Sequence, residues 1–262
     1  MLNGIIFLLN KYEEPDADAL LPARLLDELP DSAEGVLAVT DDGAKLRRLA
    51  ERGFAVIFCS DGEKYAEGAA YVAESASAVD YEYANTAYCR IKGLPLTVLE
   101  TPRTIVRELC ADDLPRLYEI YDDDAVREFV EPLKDYEREK ELIEAYIHNM
   151  YGLCGFGLWA VIERESGRLI GRAGISLNEA GGERRMELGY VIAREDRRKG
   201  YAFEACAAIK EYAFKTLGAE TLYIVTRADN TASAGTAKKL GFGKPGFSVI
   251  SGCEYMIFQC KE

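Results

Sequence analysis

The residues with the most pointed chemistry are Arg197-Arg198-Lys199-Gly200-Tyr201-Ala202. They sit between an apolar strand pattern over 187–192 and a long helical pattern over 202–217. A glycine in a strand-to-helix turn lets backbone N–H groups approach an anion closely. The helix start adds unpaired donors and a favourable dipole. Three basic side chains at the same point supply charge, so the segment has the makings of a diphosphate cradle. A solvated basic helix start is the plainer reading of the same run. It is not a familiar nucleotide loop: no GxxxxGK[ST] occurs, and no GxGxxG follows a strand.

Other chemistries lack the residues they need. The one histidine, His148, excludes a multi-histidine zinc site. It lies in a helical pattern over 141–150 with no serine or cysteine nucleophile motif beside it. The seven cysteines (59, 89, 110, 154, 206, 253 and 260) are scattered without a CxxC, which reads as reduced thiols in a cytoplasmic protein. With 32 Lys+Arg against 45 Asp+Glu the net charge is -13, which argues against duplex nucleic acid and anionic lipid as partners. The apolar start, Met1–Leu9, lacks a basic region and runs into Asn10-Lys11-Tyr12-Glu13-Glu14. It is expected to be a first strand, not a signal peptide.

The elements that must position the cradle follow from hydrophobic pattern. A length of 262 residues allows one large or two ordinary domains. Residues 1–102 carry 9 Lys/Arg against 18 Asp/Glu, so the basic groups concentrate in 103–262. In the first part, apolar strands at 35–40 and 54–59 flank a helix over 44–52, and a further strand or turn falls near 77–80. This alternation predicts a small open α/β sheet with its exit near Thr101-Pro102. In the second part come a strand at 104–109, helices over 114–121 and 135–150, and a hairpin of 156–162 with 169–175. Then follow a strand at 187–192, the 202–217 helix, a strand at 221–226, a helix over 231–240 and a strand pair at 247–250 and 254–259.

The first part loosely resembles a haloacid-dehalogenase-like α/β module, with Thr40 after an apolar strand. Where that family carries Asp-x-Asp, this chain has Leu8-Leu9-Asn10-Lys11, without nucleophile or Mg²⁺ ligand. Residues 1–102 are therefore expected to be a small, non-catalytic accessory domain. Residues 103–262 resemble the GNAT superfamily of acyl-CoA N-acyltransferases. Arg197-x-x-Gly200-x-Ala202 matches its Arg/Gln-x-x-Gly-x-Gly/Ala motif, and Asn230-Thr231-Ala232-Ser233 leading to Lys239-Leu240-Gly241-Phe242 follows in the right order. The Phe156-Gly157-Leu158-Trp159 strand and the Asn-x-x-Ser spacing look most like the ribosomal-protein N-terminal acetyltransferase branch.

The resemblance implies a mixed α/β fold with a splayed, mostly antiparallel sheet holding acetyl-CoA in the gap, and no metal. Backbone groups of Val191, Ile192 and Ala193 would pair with the pantetheine arm. The loop of Arg197, Arg198, Lys199, Gly200, Tyr201 and Ala202 would hold the diphosphate, and Asn230 and Ser233 would meet the cofactor nearer its thioester. The reaction needs a base, an oxyanion donor and a proton for the departing thiolate. Glu187 is the candidate base, or else a structural carboxylate paired with Arg184 or Arg185. A backbone N–H near Val191 is the candidate oxyanion donor. Many relatives place a tyrosine seven residues after the asparagine, where this chain has Ala237. Ser233 is then the candidate acid, or simply a first-turn helix residue. Glu131 and Trp159 are candidate acceptor contacts, with a solvated loop and the sheet core as their plainer readings. The expected activity is direct acetyl transfer to a primary amine of a protein N-terminus or small molecule, by a protein that could pair as a homodimer. The alternative is a non-catalytic acyl-CoA-binding regulator.

Overall fold

The computed structural model describes residues 1–10, 17–60, 62, 66–180 and 183–262. They form two compact units, Met1–Leu96 and Thr97–Glu262.

The first unit holds β1 (Gly4–Leu8), β2 (Arg24–Leu25), β3 (Val36–Thr40), β4 (Ala55–Cys59) and β5 (Tyr71–Ala73). They pair in parallel in the order β2-β1-β3-β4-β5. Every residue of β3 and β4 is buried, as continuous apolar runs in a doubly covered sheet require. Helix α1 (Gly43–Glu51) starts at Asp42, whose carboxylate accepts from the Ala44 and Lys45 N–H groups. It covers one face through Leu46 and Leu49. Helix α2 (Tyr81–Lys92) covers the other through Ala84, Ala87 and Tyr88. The segment near 77–80 is a single 3₁₀ turn, Ala76–Ala78, and the fifth strand lies just before it. After β1, Asn10 donates its backbone N–H and its Nδ2 to the buried Asp41 at 3.0 and 3.1 Å.

The second unit carries one mixed sheet. Its strands are β6 (Thr97–Glu100), β7 (Thr104–Arg107), β8 (Leu158–Glu163), β9 (Leu169–Ala180), β10 (Glu183–Ile192), β11 (Thr221–Arg227), β12 (Gly246–Ile250) and β13 (Cys253–Lys261). Their order is β12-β13-β11-β10-β9-β8-β7-β6. The Thr101-Pro102 boundary read from sequence falls inside the β6–β7 hairpin, and the unit begins at Thr97. Helices α3 (Leu114–Tyr121) and α4 (Asp124–Arg127) lie on one face. Helix α5 (Tyr136–Tyr146) runs through a π-helical turn, Ile147–Tyr151, into α6 (Gly152–Cys154). The side chain of His148 in that turn lies outside the described residues. Helices α7 (Tyr201–Lys215) and α8 (Thr231–Lys239) pack on the opposite face against Trp159, Val161, Ile175 and Leu188.

One pairing breaks the sheet. Strand β10 is antiparallel to β9 along its whole length, to Ile192. To β11 it is parallel and joined only at Met186–Leu222 and Glu187–Tyr223. Beyond those two pairs the strands diverge, and the functional cavity opens in the gap.

Candidate active site

A cavity of about 540 Å³ occupies the splay. Its walls are Tyr190, Val191 and Ile192 of β10, the 196–203 loop, Asn230, Ser233 and Thr236 of α8, and Val126 and Phe129 at α4. The structure thus brings together most of the residues the sequence nominates: Val191, Ile192, Arg197, Arg198, Gly200, Tyr201, Ala202, Asn230 and Ser233.

The loop owes its shape to two left-handed residues. Arg198 has φ 62° and Gly200 has φ 89°. Gly200 starts α7 without a side-chain cap, and the first helical bond runs from the Glu204 N–H to the Gly200 carbonyl at 3.0 Å. The N–H groups of residues 201–203 therefore have no acceptor within the helix. Their residues line the cavity, which gives an anion-binding helix start. The turn between β6 and β7 holds this start in place. Glu204 accepts from Thr101 Oγ1 at 2.6 Å, from the Arg103 N–H at 2.8 Å and from Arg103 Nε at 2.7 Å. Arg103 also donates to the Lys199 carbonyl at 3.0 Å and lies 4.8 Å over the Tyr201 ring.

The three basic residues divide their work. Lys199 Nζ is 3.1 Å from Asp196 Oδ1, and Arg168 grips the same buried carboxylate with two bonds of 2.8 and 2.9 Å. Burial pushes the Asp196 carboxyl up, but Arg168 and Lys199 outweigh it and hold it below the usual range. Arg197 donates through Nε to the Ile192 carbonyl at 3.0 Å and pairs with Asp123 at the start of α4 at 3.2 Å. It is a brace for the loop. Lys199 does not line the cavity, so its assignment to the diphosphate is corrected: its charge is spent on Asp196. Arg198 does line the cavity and is exposed.

Backbone parity corrects a second assignment. The Ala193 N–H donates to the Ile170 carbonyl at 2.8 Å, and its own carbonyl accepts from Asp196. Both groups are taken, so Ala193 offers nothing to a pantetheine arm. Antiparallel pairs alternate between bonded and non-bonded. With Ala193 bonded to Ile170, the Val191–Arg172 pair two residues earlier is bonded as well. Val191 thus spends its backbone on β9 and gives the cavity its side chain. Tyr190 and Ile192 turn their N–H groups toward the gap, whereas the Leu188 N–H is taken by the parallel Glu187–Tyr223 pairing to β11.

On the α8 side, Asn230 Oδ1 accepts from the Ser233 N–H at 3.1 Å and so caps the helix. Tyr190, which sequence reasoning passed over, points from β10 to α8 and brings its phenol near the hydroxyls of Thr236 and Ser233. Burial pushes this phenol above its ordinary range, only partly offset by those two neighbouring hydroxyls. The signal was available: Leu188, Tyr190 and Ile192 alternate onto the α7–α8 face. Ala237 is fully buried beneath.

The remaining candidates lie apart. Glu187 is the last β10 residue paired to β11, at the closed end of the splay, and accepts from Asn178 Nδ2 at 2.8 Å. It stands on the α3–α4 face with Val191. Arg185 lies 5.1 Å over the Tyr223 ring. Glu131 is an exposed loop residue next to the cavity-lining Val130. Trp159 is 1% exposed and meets Tyr212 of α7 edge-on at 5.7 Å, on the face away from Glu187. It is a core residue, and its assignment as an acceptor contact is corrected. Among the described residues no cluster of His, Cys, Asp or Glu could hold a metal ion, and no helix is long and apolar enough to cross a membrane.

Residues 103–243 match the family model described as acetyltransferase (GNAT) domain. The chain is 30% identical over 151 residues to the uncharacterized N-acetyltransferase YoaA of Bacillus subtilis, covering 57% of this chain and 84% of that protein. Among solved structures it superposes on a GNAT-family acetyltransferase from Bacillus anthracis with TM-score 0.53 and 22% identity, over 62% of this chain and 97% of that one. A structure described as a putative ribosomal-protein-serine acetyltransferase from Vibrio cholerae gives TM-score 0.51 and 22% identity, over 64% and 98%. At these identities the structures speak for the fold alone.

Proposed function

Because the chain belongs to the acetyltransferase (GNAT) family through residues 103–243, we propose that it transfers the acetyl group of acetyl-CoA directly to a primary amine within a ternary complex. The observation that carries this reading is the coincidence, in one cavity, of an uncapped α7 start with the unpaired inner edge of β10. The cavity's donor set fits the substrate. Arg198 and the N–H groups of residues 201–203 suit a diphosphate. The gap-facing backbone of Tyr190 and the Ile192 N–H, with Asn230 Nδ2, suit the amides of a pantetheine arm.

The acceptor amine must lose a proton as its nitrogen attacks the thioester carbonyl. Glu187 takes that proton, directly or through water. The gap-facing N–H groups of β10 stabilise the oxyanion, since fixed donors in a water-poor cleft need no reorganisation. When the carbon–sulfur bond breaks, the thiolate accepts a proton from the hydroxyl group of Tyr190, Ser233 and Thr236. A thiolate is already a good leaving group, so this last step contributes less than the first two.

The test is isothermal titration with CoA followed by thiol-release assays on primary amines. Binding with acetyl transfer that falls on the order of 10² in Glu187→Gln supports the reading. Absence of CoA binding by folded protein refutes it. Binding without transfer to any amine favours the regulatory alternative.

A further inference from the structure

We propose that Arg172 recognises the acceptor, and that the amine acetylated by this protein carries a carboxylate. The inference rests on the acetyl-transfer reading above. Arg172 lies in β9, directly opposite Val191 of β10 and Ala160 of β8. Directly opposed residues share a sheet face. Arg172 is therefore on the α3–α4 face with Glu187, beside a Val191 side chain that lines the cavity.

Its surroundings leave its charge unanswered. Arg172 Nη1 donates to Tyr121 Oη at 3.3 Å, and the guanidinium lies 6.0 Å from the centre of that ring. Nε is buried and has no hydrogen-bond partner. Tyr146 and Tyr151, both pushed up by burial, also feel its charge. Three other partly buried arginines of this unit meet a carboxylate: Arg107 meets Asp113, Arg168 meets Asp196 and Arg197 meets Asp123. Among the described residues none plays that part for Arg172. A guanidinium withdrawn from water without a counter-charge is costly unless a ligand supplies one.

There is also room for that ligand. Between the Glu187–Ser176 and Val191–Arg172 pairs, the facing residues are Gly189 and Gly174. A Cβ built on Gly189 meets nothing within 4 Å, while at Gly174 it would strike the Gly157 carbonyl at 2.0 Å. The face is thus bare and open over β10 and walled at β9. An acceptor laid on this strip has a general base at the Glu187 end and a planar, two-pronged carboxylate receptor at the Arg172 end. The same guanidinium repels polyamines.

The experiment compares L-methionine and L-glutamate with their α-carboxamides, which differ only in the charge in question. A peptide pair, Ala-Glu-Ala and Ala-Gln-Ala with amidated C-termini, separates a side-chain carboxylate from a free α-carboxylate. Expected are a kcat/KM at least tenfold higher for the acid than for its amide and collapse of that ratio toward one in Arg172→Gln through KM. The Kd for CoA should not change, and Arg172→Lys should be intermediate. A ratio near one in the wild type, or one that survives in Arg172→Gln, overturns the proposal. Should no amine be acetylated, the transfer reading fails on its own. Titration of the same acid and amide into the CoA complex then tests Arg172: selective binding of the acid supports it, and equal or absent binding overturns it. If Arg172→Gln does not fold by circular dichroism, the acid-to-amide ratio in the wild type and Arg172→Lys stands as the test.

Discussion

Valine at position 200 should weaken CoA binding without unfolding the protein. Gly200 has φ 89° and ψ -1°, and a Cβ there would come within 3.3 Å of Arg103 Nη2, the group that clamps the start of α7. An L-residue in the left-handed region costs about 1–2 kcal/mol, and a β-branched one up to about 3 kcal/mol. Gly200 is exposed, so the turn can relax in the free protein and must be strained back when the diphosphate binds. A cost of about 1–3 kcal/mol is about 5- to 150-fold in Kd. Alanine should fall at the low end of that range. Gly218, at φ 66° with nothing within 4 Å of a built Cβ, is the control. Valine there carries similar backbone strain away from the cavity and should lower Tm while leaving Kd alone. Calorimetric titration with CoA, alongside thermal melts, reads both effects. A folded Gly200→Val protein whose Kd stays within twofold of wild type would refute the placement of the diphosphate.

Glu204→Gln should destabilise the second unit by about 1–3 kcal/mol at pH 7, because three donors lose their charged acceptor. Burial pushes this carboxyl up, but its bonds to Thr101 and Arg103 outweigh that and hold it below the usual range. A depressed carboxylate stabilises above its unfolded-state pKa and loses that contribution as pH falls through the folded value. The difference from wild type in urea titrations should therefore shrink below the ordinary glutamate range. Tyr190→Phe should lower kcat by up to about 10² with little change in the Kd for CoA, and more than Ser233→Ala does. Equal, unchanged kcat in both variants would remove the hydroxyl group from the mechanism. Trp159→Ala should cost about 3–5 kcal/mol in stability, whereas Trp159→Phe should leave the acceptor KM unchanged; a raised acceptor KM in a stable Trp159→Phe protein would restore it to the site.

Local features of the sequence carried the local features of the structure. The 3.6-residue and two-residue patterns located α3, α7, α8 and the long strands, and the spacing of Arg197, Gly200, Ala202 and Asn230 located the cavity. What escaped is set by partners far along the chain. Lys199 and Arg197 look like anion ligands until Arg168 and Asp123 arrive from other elements. Trp159 looks like a contact residue until register decides which face it takes. Val191 and Ala193 look alike as backbone donors until the pairing with β9 fixes which N–H turns outward. Strands β5 and β6 have three and four residues, too short for alternation to show. Arg172 gave no signal, because a half-buried guanidinium is conspicuous only once its lack of a counter-charge is seen.

The two-pair contact between β10 and β11 also sets how the second unit should behave on filling its cavity. The inner edge of β10 is a zipper with one row of teeth, and in the proposed function the pantetheine arm is the missing row. Amide protons of Tyr190 and Ile192 should exchange quickly with deuterated solvent in the ligand-free protein and slow sharply when CoA docks. The neighbouring Val191 amide, already held by β9, should stay slow in both, so that cofactor loading is legible one residue at a time along a single strand.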